Sequence, residues 1–354
     1  MNTFNIQRLL RKNITKLLPY QAKELPSKIK LDANESPFPV KIADILTEIN
    51  IPLNRYPDPE AILLRKAISK KIKIPYRNIM VGNGSDELIY YLILTFGGPV
   101  LYPVPTFVMY GIIAQSVGVK RIECKLDRNF DIHYEEMAKQ IKNQKPHIIF
   151  LSSPNNPTGN CFSTEKILKI FDIAKKNSIL VVMDEAYQPF CSKKGFLGFI
   201  KDYENLLILR TLSKIGLAGL RVGYLIGKEN ILKEIGKVRL PYNVDALTQY
   251  VATEALNKFY PNISRIISEI VKERERLYKE LSSIKGIKVF PSEANFILFK
   301  IKDSKKVFNK LKKRGILVRD ISSAVKDSLR VTVGTKEENN HFLKALREII
   351  EVGK

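Results

Sequence analysis

At 354 residues, 45% hydrophobic and 27% charged, the chain has a globular composition and length enough for two domains of about 150 residues. Lysine and arginine outnumber aspartate and glutamate 59 to 36, a net charge of +23, but they are interleaved with acids, as in Lys272-Glu273-Arg274-Glu275-Arg276. That pattern predicts a solvated surface that attracts anionic metabolites and argues against a nucleic-acid partner; no apolar run approaches the roughly 18 residues of a membrane span.

In chain order, residues 1–30 read as an arm joining the smaller domain; they lack the apolar core of a secretory signal, and a cytoplasmic protein is expected. Lys30 to Pro37 is a short strand running into a turn, and Asn54 to Pro59 is a turn stiffened by prolines. A helix is expected from about Glu60 to Lys71, with Ile62, Leu63, Ala67 and Ile68 on its apolar side. Apolar strands follow at Ile79–Val81, Val100–Tyr102, Arg121–Leu126, Ile148–Ser152, Leu180–Asp184, Leu206–Leu209 and Val222–Ile226. Helical patterns at Asp86–Thr95 and Thr164–Lys176 lie between them. Such alternation predicts an α/β layer with a largely parallel sheet, whose ligands bind at the carboxyl ends of the strands. After Pro241 the texture changes to helices at Asp245–Lys258, Asn262–Ser282, Lys305–Lys313 and Glu337–Val352. Strands at Lys288–Phe290, Asn295–Phe299, Ile316–Arg319 and Leu329–Val333 alternate with them, which predicts a large domain over 31–243 and a smaller α+β domain over 244–354. Cys124, Cys161 and Cys191 are far apart and odd in number, so reduced thiols are expected rather than a disulfide framework or a zinc site.

The polar motifs stand at strand ends. Gly82-Asn83-Gly84-Ser85-Asp86-Glu87 opens a helix and could bind phosphate through free backbone amides; Glu87 stands where a dinucleotide motif has its third glycine, and a structural turn is the alternative. Tyr110, after the strand at Val100, could face a planar ring or belong to the core. The rigid loop Ser153-Pro154-Asn155-Asn156-Pro157-Thr158-Gly159 could present an amide to a fixed acceptor. Asp184 ends a very apolar strand, where a carboxylate is costly unless it meets a cation. Lys214, flanked by Thr211, Ser213 and Arg221, suits imine chemistry, although taken alone the segment also reads as a strand–loop junction with a solvated lysine. Together these are the parts of a pyridoxal phosphate site: an imine-forming lysine, an aspartate for the ring nitrogen, donors for the ring oxygen and anion-binding groups for the phosphate. Arg330, near the C-terminus, can clamp a substrate anion.

With these motifs in this order, the chain resembles the fold-type-I pyridoxal-phosphate aminotransferases of class II, and within them the histidinol-phosphate aminotransferases. The resemblance runs from Leu31-Asp32-Ala33-Asn34-Glu35-Ser36-Pro37 through Asn54-Arg55-Tyr56-Pro57, Asn155-Asn156-Pro157-Thr158-Gly159, Asp184-Glu185-Ala186-Tyr187 and Thr211-Leu212-Ser213-Lys214 to Leu329-Arg330-Val331-Thr332-Val333-Gly334-Thr335. It implies a large domain with a mostly parallel seven-stranded sheet between helices, a smaller α+β domain, and pyridoxal 5′-phosphate as cofactor. The implied reaction is ping-pong amino transfer between L-glutamate and imidazole-acetol phosphate, giving L-histidinol phosphate and 2-oxoglutarate in histidine biosynthesis. By the resemblance, Lys214 binds the cofactor and moves the proton, and Asp184 pairs with the ring nitrogen. Asn156 and Tyr187 bond the ring oxygen, and Tyr110 stacks on the ring. Gly84, Ser85, Asp86, Ser213 and Arg221 surround the phosphate. Tyr56 reaches the cofactor of the other subunit in a homodimer. Arg330 and Arg319 hold the substrate phosphate, Arg330 also serves the carboxylate of glutamate, and Tyr20 and Asn34 line the substrate pocket with Asn156. One departure stands out: Lys214-Ile215-Gly216 runs straight into Leu217-Ala218-Gly219, a shorter loop than family members usually have, which makes the register of Arg221 a question for the structure. The rival readings are an aromatic amino-acid aminotransferase or a threonine-phosphate decarboxylase of the same fold, a Ser213–Lys214 hydrolase dyad, and a non-enzymatic basic protein that binds nucleic acid.

Overall fold

The computed structural model describes residues 5–19, 26–40, 45, 49 and 51–351. Tyr20, expected in the substrate pocket, lies outside the described residues. The first strand, β1, is Ile29–Leu31; β2 (Ile79–Asn83), β3 (Val100–Val104), β4 (Arg121–Lys125), β5 (Ile148–Ser152), β6 (Leu180–Asp184), β7 (Leu206–Thr211) and β8 (Val222–Ile226) follow. β2 to β8 form one sheet of seven strands in the order β2-β8-β7-β6-β5-β3-β4. Only β8 runs against its neighbours, pairing antiparallel with both β2 and β7.

Helices cover both faces of this sheet, so its central strands are apolar on both sides. Successive residues of β5 show the alternation: Ile148 and Phe150 pack into one core, Ile149 and Leu151 into the other. The same division separates Val181 and Met183 from Val182 on β6, and Leu206 and Ile208 from Leu207 and Leu209 on β7. Each such side chain contributes about 1.5–3 kcal/mol of transfer free energy when fully buried. Flanking helices bury a single stripe. In Thr164–Lys176 it is Ile167, Ile170, Phe171 and Ala174, at spacings of three and four, and the Ser163 side chain caps the start by accepting from the Lys166 amide.

A second sheet of five strands joins β1 to β9 (Ile287–Val289), β10 (Phe296–Ile301), β11 (Ile316–Asp320) and β12 (Ser328–Thr332), in the order β1-β11-β12-β10-β9. β1 lies parallel to β11, so Leu31 belongs to this smaller sheet rather than to the large layer. The arm divides its contacts. Arg11 and Asn13 donate to the carbonyls of Val117, Gln115 and Ser116, at the end of the helix Met109–Val117 in the large layer, and the chain from Lys28 onward meets the smaller sheet, the Lys28 amide donating to Gly315 O at 2.8 Å. The helix Ala246–Lys258, expected with the smaller domain, packs on Ile62–Ile72. The helix Tyr260–Ser282 runs between the two sheets, and its buried Arg274 donates to Phe190 O at 3.0 Å and Ala294 O at 3.3 Å, one carbonyl on each side. No helix among the described residues is long and apolar enough to cross a membrane.

Candidate active site

The carboxyl ends of β5, β6 and β7 converge on one cavity, lined by Ser152, Asn156, Asp184, Ala186, Tyr187, Thr211, Ser213 and Lys214. The start of the helix Ser85–Phe96 closes one end with Ser85 and Asp86, Phe107 covers part of the wall, and Arg221 completes the lining.

Asp184 is 4% exposed, and both of its bonded partners are neutral: the Tyr110 hydroxyl donates to Oδ2 at 2.6 Å and the Ala186 amide to Oδ1 at 3.0 Å. Desolvation outweighs these bonds and pushes the carboxyl up to about 6. Opposite it, Lys214 follows β7 on a tight turn, with Nζ 5.9 Å from the centre of the Tyr187 ring. Desolvation, then the Arg330 charge, lower its ammonium to about 8. A buried acid without a cation and a lysine that releases its proton near neutrality therefore face one space.

The end of the cavity at the helix start is built from backbone as much as from side chains. Gly84 precedes the helix Ser85–Phe96 with φ 80°, and a Cβ there would stand 2.5 Å from Arg221 Nη2. Arg221, itself left-handed at φ 52°, reaches Ser213 Oγ at 3.4 Å and Asp86 Oδ2 at 3.8 Å. The short loop after Lys214 thus delivers Arg221 to the helix start. Glu87, in place of a third glycine, accepts from the Asn83 amide at 2.7 Å, from Asn243 Nδ2 at 2.6 Å and from the Tyr91 hydroxyl at 2.9 Å. It is a brace for the loop.

Beside the cavity, Arg330 donates to Asn156 Oδ1 and to Asp32 O, both at 2.6 Å, and its guanidinium lies 5.1 Å over the Phe296 ring. Arg319 stands directly opposite Arg330 in the antiparallel register of β11 and β12. Asn34 is buried in left-handed conformation: its amide and side chain engage Thr332 Oγ1, its Nδ2 donates to the Tyr187 hydroxyl at 2.9 Å, and its carbonyl accepts from Asn295. It holds Tyr187; Asn34, Arg319 and Arg330 all stand outside the lining of this cavity.

One expectation is corrected. Tyr110 does not line the cavity: it is fully buried, stacked on Phe150 at 4.8 Å with its hydroxyl on Asp184, and Phe107 is the aromatic in the wall. Phe107 sits edge-on to Tyr110 at 5.6 Å, three positions earlier in the same aromatic run, and nothing in the sequence pattern ranks one above the other. Tyr56 is 81% exposed and stacked on Tyr242 at 4.5 Å, away from this chain's own cavity. Sequence reasoning also passed over Asn155, whose side chain accepts from Thr106 at 2.7 Å and donates to Pro105 O at 3.0 Å and Thr158 Oγ1 at 2.8 Å, fixing the loop that carries Asn156. The other omission is the buried pair of Glu185 and Arg210, joined at 2.9 and 2.8 Å behind Asp184.

These residues fit pyridoxal 5′-phosphate. A protonated ring nitrogen answers the cation that Asp184 lacks, an aldehyde answers Lys214, and a phosphate fits the helix start with Ser213 and Arg221. The chain belongs to the aminotransferases of class I and II, whose family pattern matches residues 26–346. Within that family it is 43% identical over 353 residues to the histidinol-phosphate aminotransferase of Aquifex aeolicus, covering 97% of this chain and 98% of that one. Among solved structures it is similar to the histidinol-phosphate aminotransferase from Clostridium acetobutylicum, with a TM-score of 0.85 at 28% identity over 91% of this chain and 98% of the other. It shares its fold with the Sinorhizobium meliloti histidinol-phosphate aminotransferase in complex with pyridoxal-5′-phosphate, with a TM-score of 0.82 at 21% identity over 93% of this chain and 92% of that one.

Proposed function

We propose that this protein is a pyridoxal-phosphate-dependent histidinol-phosphate aminotransferase. It moves an amino group between L-glutamate and imidazole-acetol phosphate, giving L-histidinol phosphate and 2-oxoglutarate in histidine biosynthesis. The observation that carries the chemistry is the placing of Asp184 and Lys214 in one cavity with opposed, desolvation-driven shifts in proton affinity. The choice of substrate rests on near-full-length identity to the Aquifex aeolicus enzyme and on the facing arginines.

When bound, the cofactor supplies an electron sink that makes the α-proton of an amino acid removable. The chain's own residues do the rest. Asp184 keeps the ring nitrogen protonated by charge. Lys214 would hold the cofactor covalently through its neutral amine, and the same amine would take the proton from the substrate α-carbon. Asn156 Oδ1 is occupied by Arg330, which leaves its Nδ2 as the donor to the ring oxygen beside the Tyr187 hydroxyl. Ser213, Arg221 and the amides at the start of the helix Ser85–Phe96 hold the phosphate. Arg330 and Arg319 take the substrate phosphate in one half-reaction, and Arg330 takes the carboxylate of glutamate in the other.

A homodimer is part of the proposal. Leu53, Tyr56, Leu240 and Tyr242 are exposed apolar side chains, and Tyr56 stacks on Tyr242. Tyr90 and Leu94 are exposed on the helix Ser85–Phe96, whose Tyr91 hydroxyl accepts from the Leu240 amide. Clustered apolar exposure of this kind marks a protein–protein surface. With three free thiols in the fold, the cytoplasm is the compartment we propose.

The test is a coupled assay for glutamate formed from histidinol phosphate and 2-oxoglutarate. Wild type is expected to turn over, and Arg319→Gln to raise KM for histidinol phosphate by about tenfold or more, the loss of one charged contact, with phenylalanine unaffected. Equal loss for both donors would remove Arg319 from phosphate recognition.

A further inference from the structure

Cys161 and Cys191 are 30 positions apart in sequence, yet their sulfurs stand 3.2 Å apart. Both are half-buried, whereas Cys124 is closed off on β4. A small cleft lined by Cys161, Cys191, Lys193 and Lys194 opens beside the pair. The two backbones are anchored separately. The Asn155 amide donates to Asn160 O at 2.9 Å just before Cys161; the Cys191 amide donates to Gln188 O at 3.0 Å, and Phe190 O accepts from Arg274. A segment leading into β10 joins both: the amide and hydroxyl of Ser192 donate to the Glu293 carboxylate at 2.8 Å, and the Glu293 amide donates to Gly159 O at 2.7 Å. The thiol contact is therefore held by a frame on each side.

We propose that Cys161 and Cys191 form a redox modification site, a dithiol that small disulfides and hydroperoxides convert to an intramolecular disulfide clasping the loop of Asn156 to the turn of Tyr187. Bond formation needs the sulfurs to close by roughly 1 Å, to a bond length of about 2.05 Å. The contact with Cys161 and the Lys193 amide hold the Cys191 thiol below the ordinary thiol range, which makes Cys191 the attacking sulfur; the same contact and burial push Cys161 up. With glutathione disulfide, the Cys191 thiolate bonds to one sulfur of the reagent, breaks its S–S bond and releases one glutathione. Cys161 then loses its proton to solvent, attacks the Cys191 sulfur and releases the second. Two protein thiols are oxidised and one glutathione disulfide is reduced to two glutathiones. A hydroperoxide reaches the same product through a sulfenic acid on Cys191, leaving as an alcohol and, in the second displacement, water. The disulfide closes a loop of about thirty residues and restricts the unfolded chain, which raises the unfolding temperature.

The test treats the holoenzyme with glutathione disulfide, blocks the remaining thiols, digests without reduction and maps peptides by mass. Expected are a peptide pair joined through Cys161 and Cys191, an alkylated Cys124, and an unfolding midpoint several degrees higher that dithiothreitol reverses. Glutathione retained on either cysteine, thiols alkylated as in untreated protein, or a cross-link with no rise in midpoint would each overturn the proposal. Cys161→Ser should trap glutathione on Cys191 without the rise, and Cys124→Ser should behave as wild type.

Discussion

Asp184 shows how a functional group is set by what surrounds it. Its folded proton affinity, near 6, lies above the ordinary aspartate value near 3.8, because burial opposes the charge. Between those values the folded apoprotein holds a proton that the unfolded chain has released, so stability falls as pH rises from about 4 to about 6, by roughly 3 kcal/mol if the shift is fully expressed. Asp184→Asn should abolish that slope in urea titrations of the apoprotein and leave it no less stable at pH 8, while amino transfer falls at least a hundredfold, about 3 kcal/mol of barrier. A less stable variant would mean that Asp184 braces the fold. Lys214 behaves in the opposite sense. Its neutral form attacks, so covalent loading of the apoprotein should speed up with pH to a midpoint of about 8, and Arg330→Gln should move that midpoint upward by removing a nearby positive charge. Stopped-flow absorbance at several pH values reads both. A midpoint unchanged in Arg330→Gln would remove the Arg330 charge as a cause.

The inner strands of the large sheet announce themselves by apolar runs, because a strand covered on both faces has no polar side to show, whereas the edge strand β4 alternates buried Ile122 and Cys124 with exposed Arg121, Glu123 and Lys125; all seven expected strands form that sheet. The loops at their ends are legible as motifs for a different reason: Gly, Pro and Asn fix backbone shape locally. What pairs across the fold is not written locally. The meeting of Asn34 with Tyr187, of Arg274 with two carbonyls, and of Cys161 with Cys191 depends on elements 20 or more positions apart, which no periodicity encodes. The same reasoning explains the division of the aromatic run, where the turn of the helix Met109–Val117 buries Tyr110 and leaves Phe107 in the cavity. Glu87 belongs to this scale as well. Glu87→Ala would strand three donors at the start of the helix Ser85–Phe96, and a loss of about 1–3 kcal/mol is expected in urea unfolding, together with weaker cofactor retention. Unchanged stability would show that water replaces the carboxylate without cost.

At the scale of the molecule, the large and small sheets are tied together beside the cavity, where Asn156 from the large layer accepts from Arg330 of the smaller one. The exposed apolar group around Tyr56 and Leu240 gives a prediction for assembly. Leu240→Glu should shift sedimentation toward monomer and lower activity in proportion, since a charge in a buried interface is costly; a variant that remains dimeric would place the interface elsewhere. The most direct measurement for the proposed reaction is a spectral titration of the cofactor-loaded protein with histidinol phosphate, phenylalanine and phosphothreonine, Lys214→Ala serving as the control without covalent linkage. Loss of the visible band of lysine-bound cofactor at far lower concentrations of histidinol phosphate than of the other two, with no carbon dioxide released, is the predicted result. A lower requirement for phenylalanine, or decarboxylation of phosphothreonine, would contradict it.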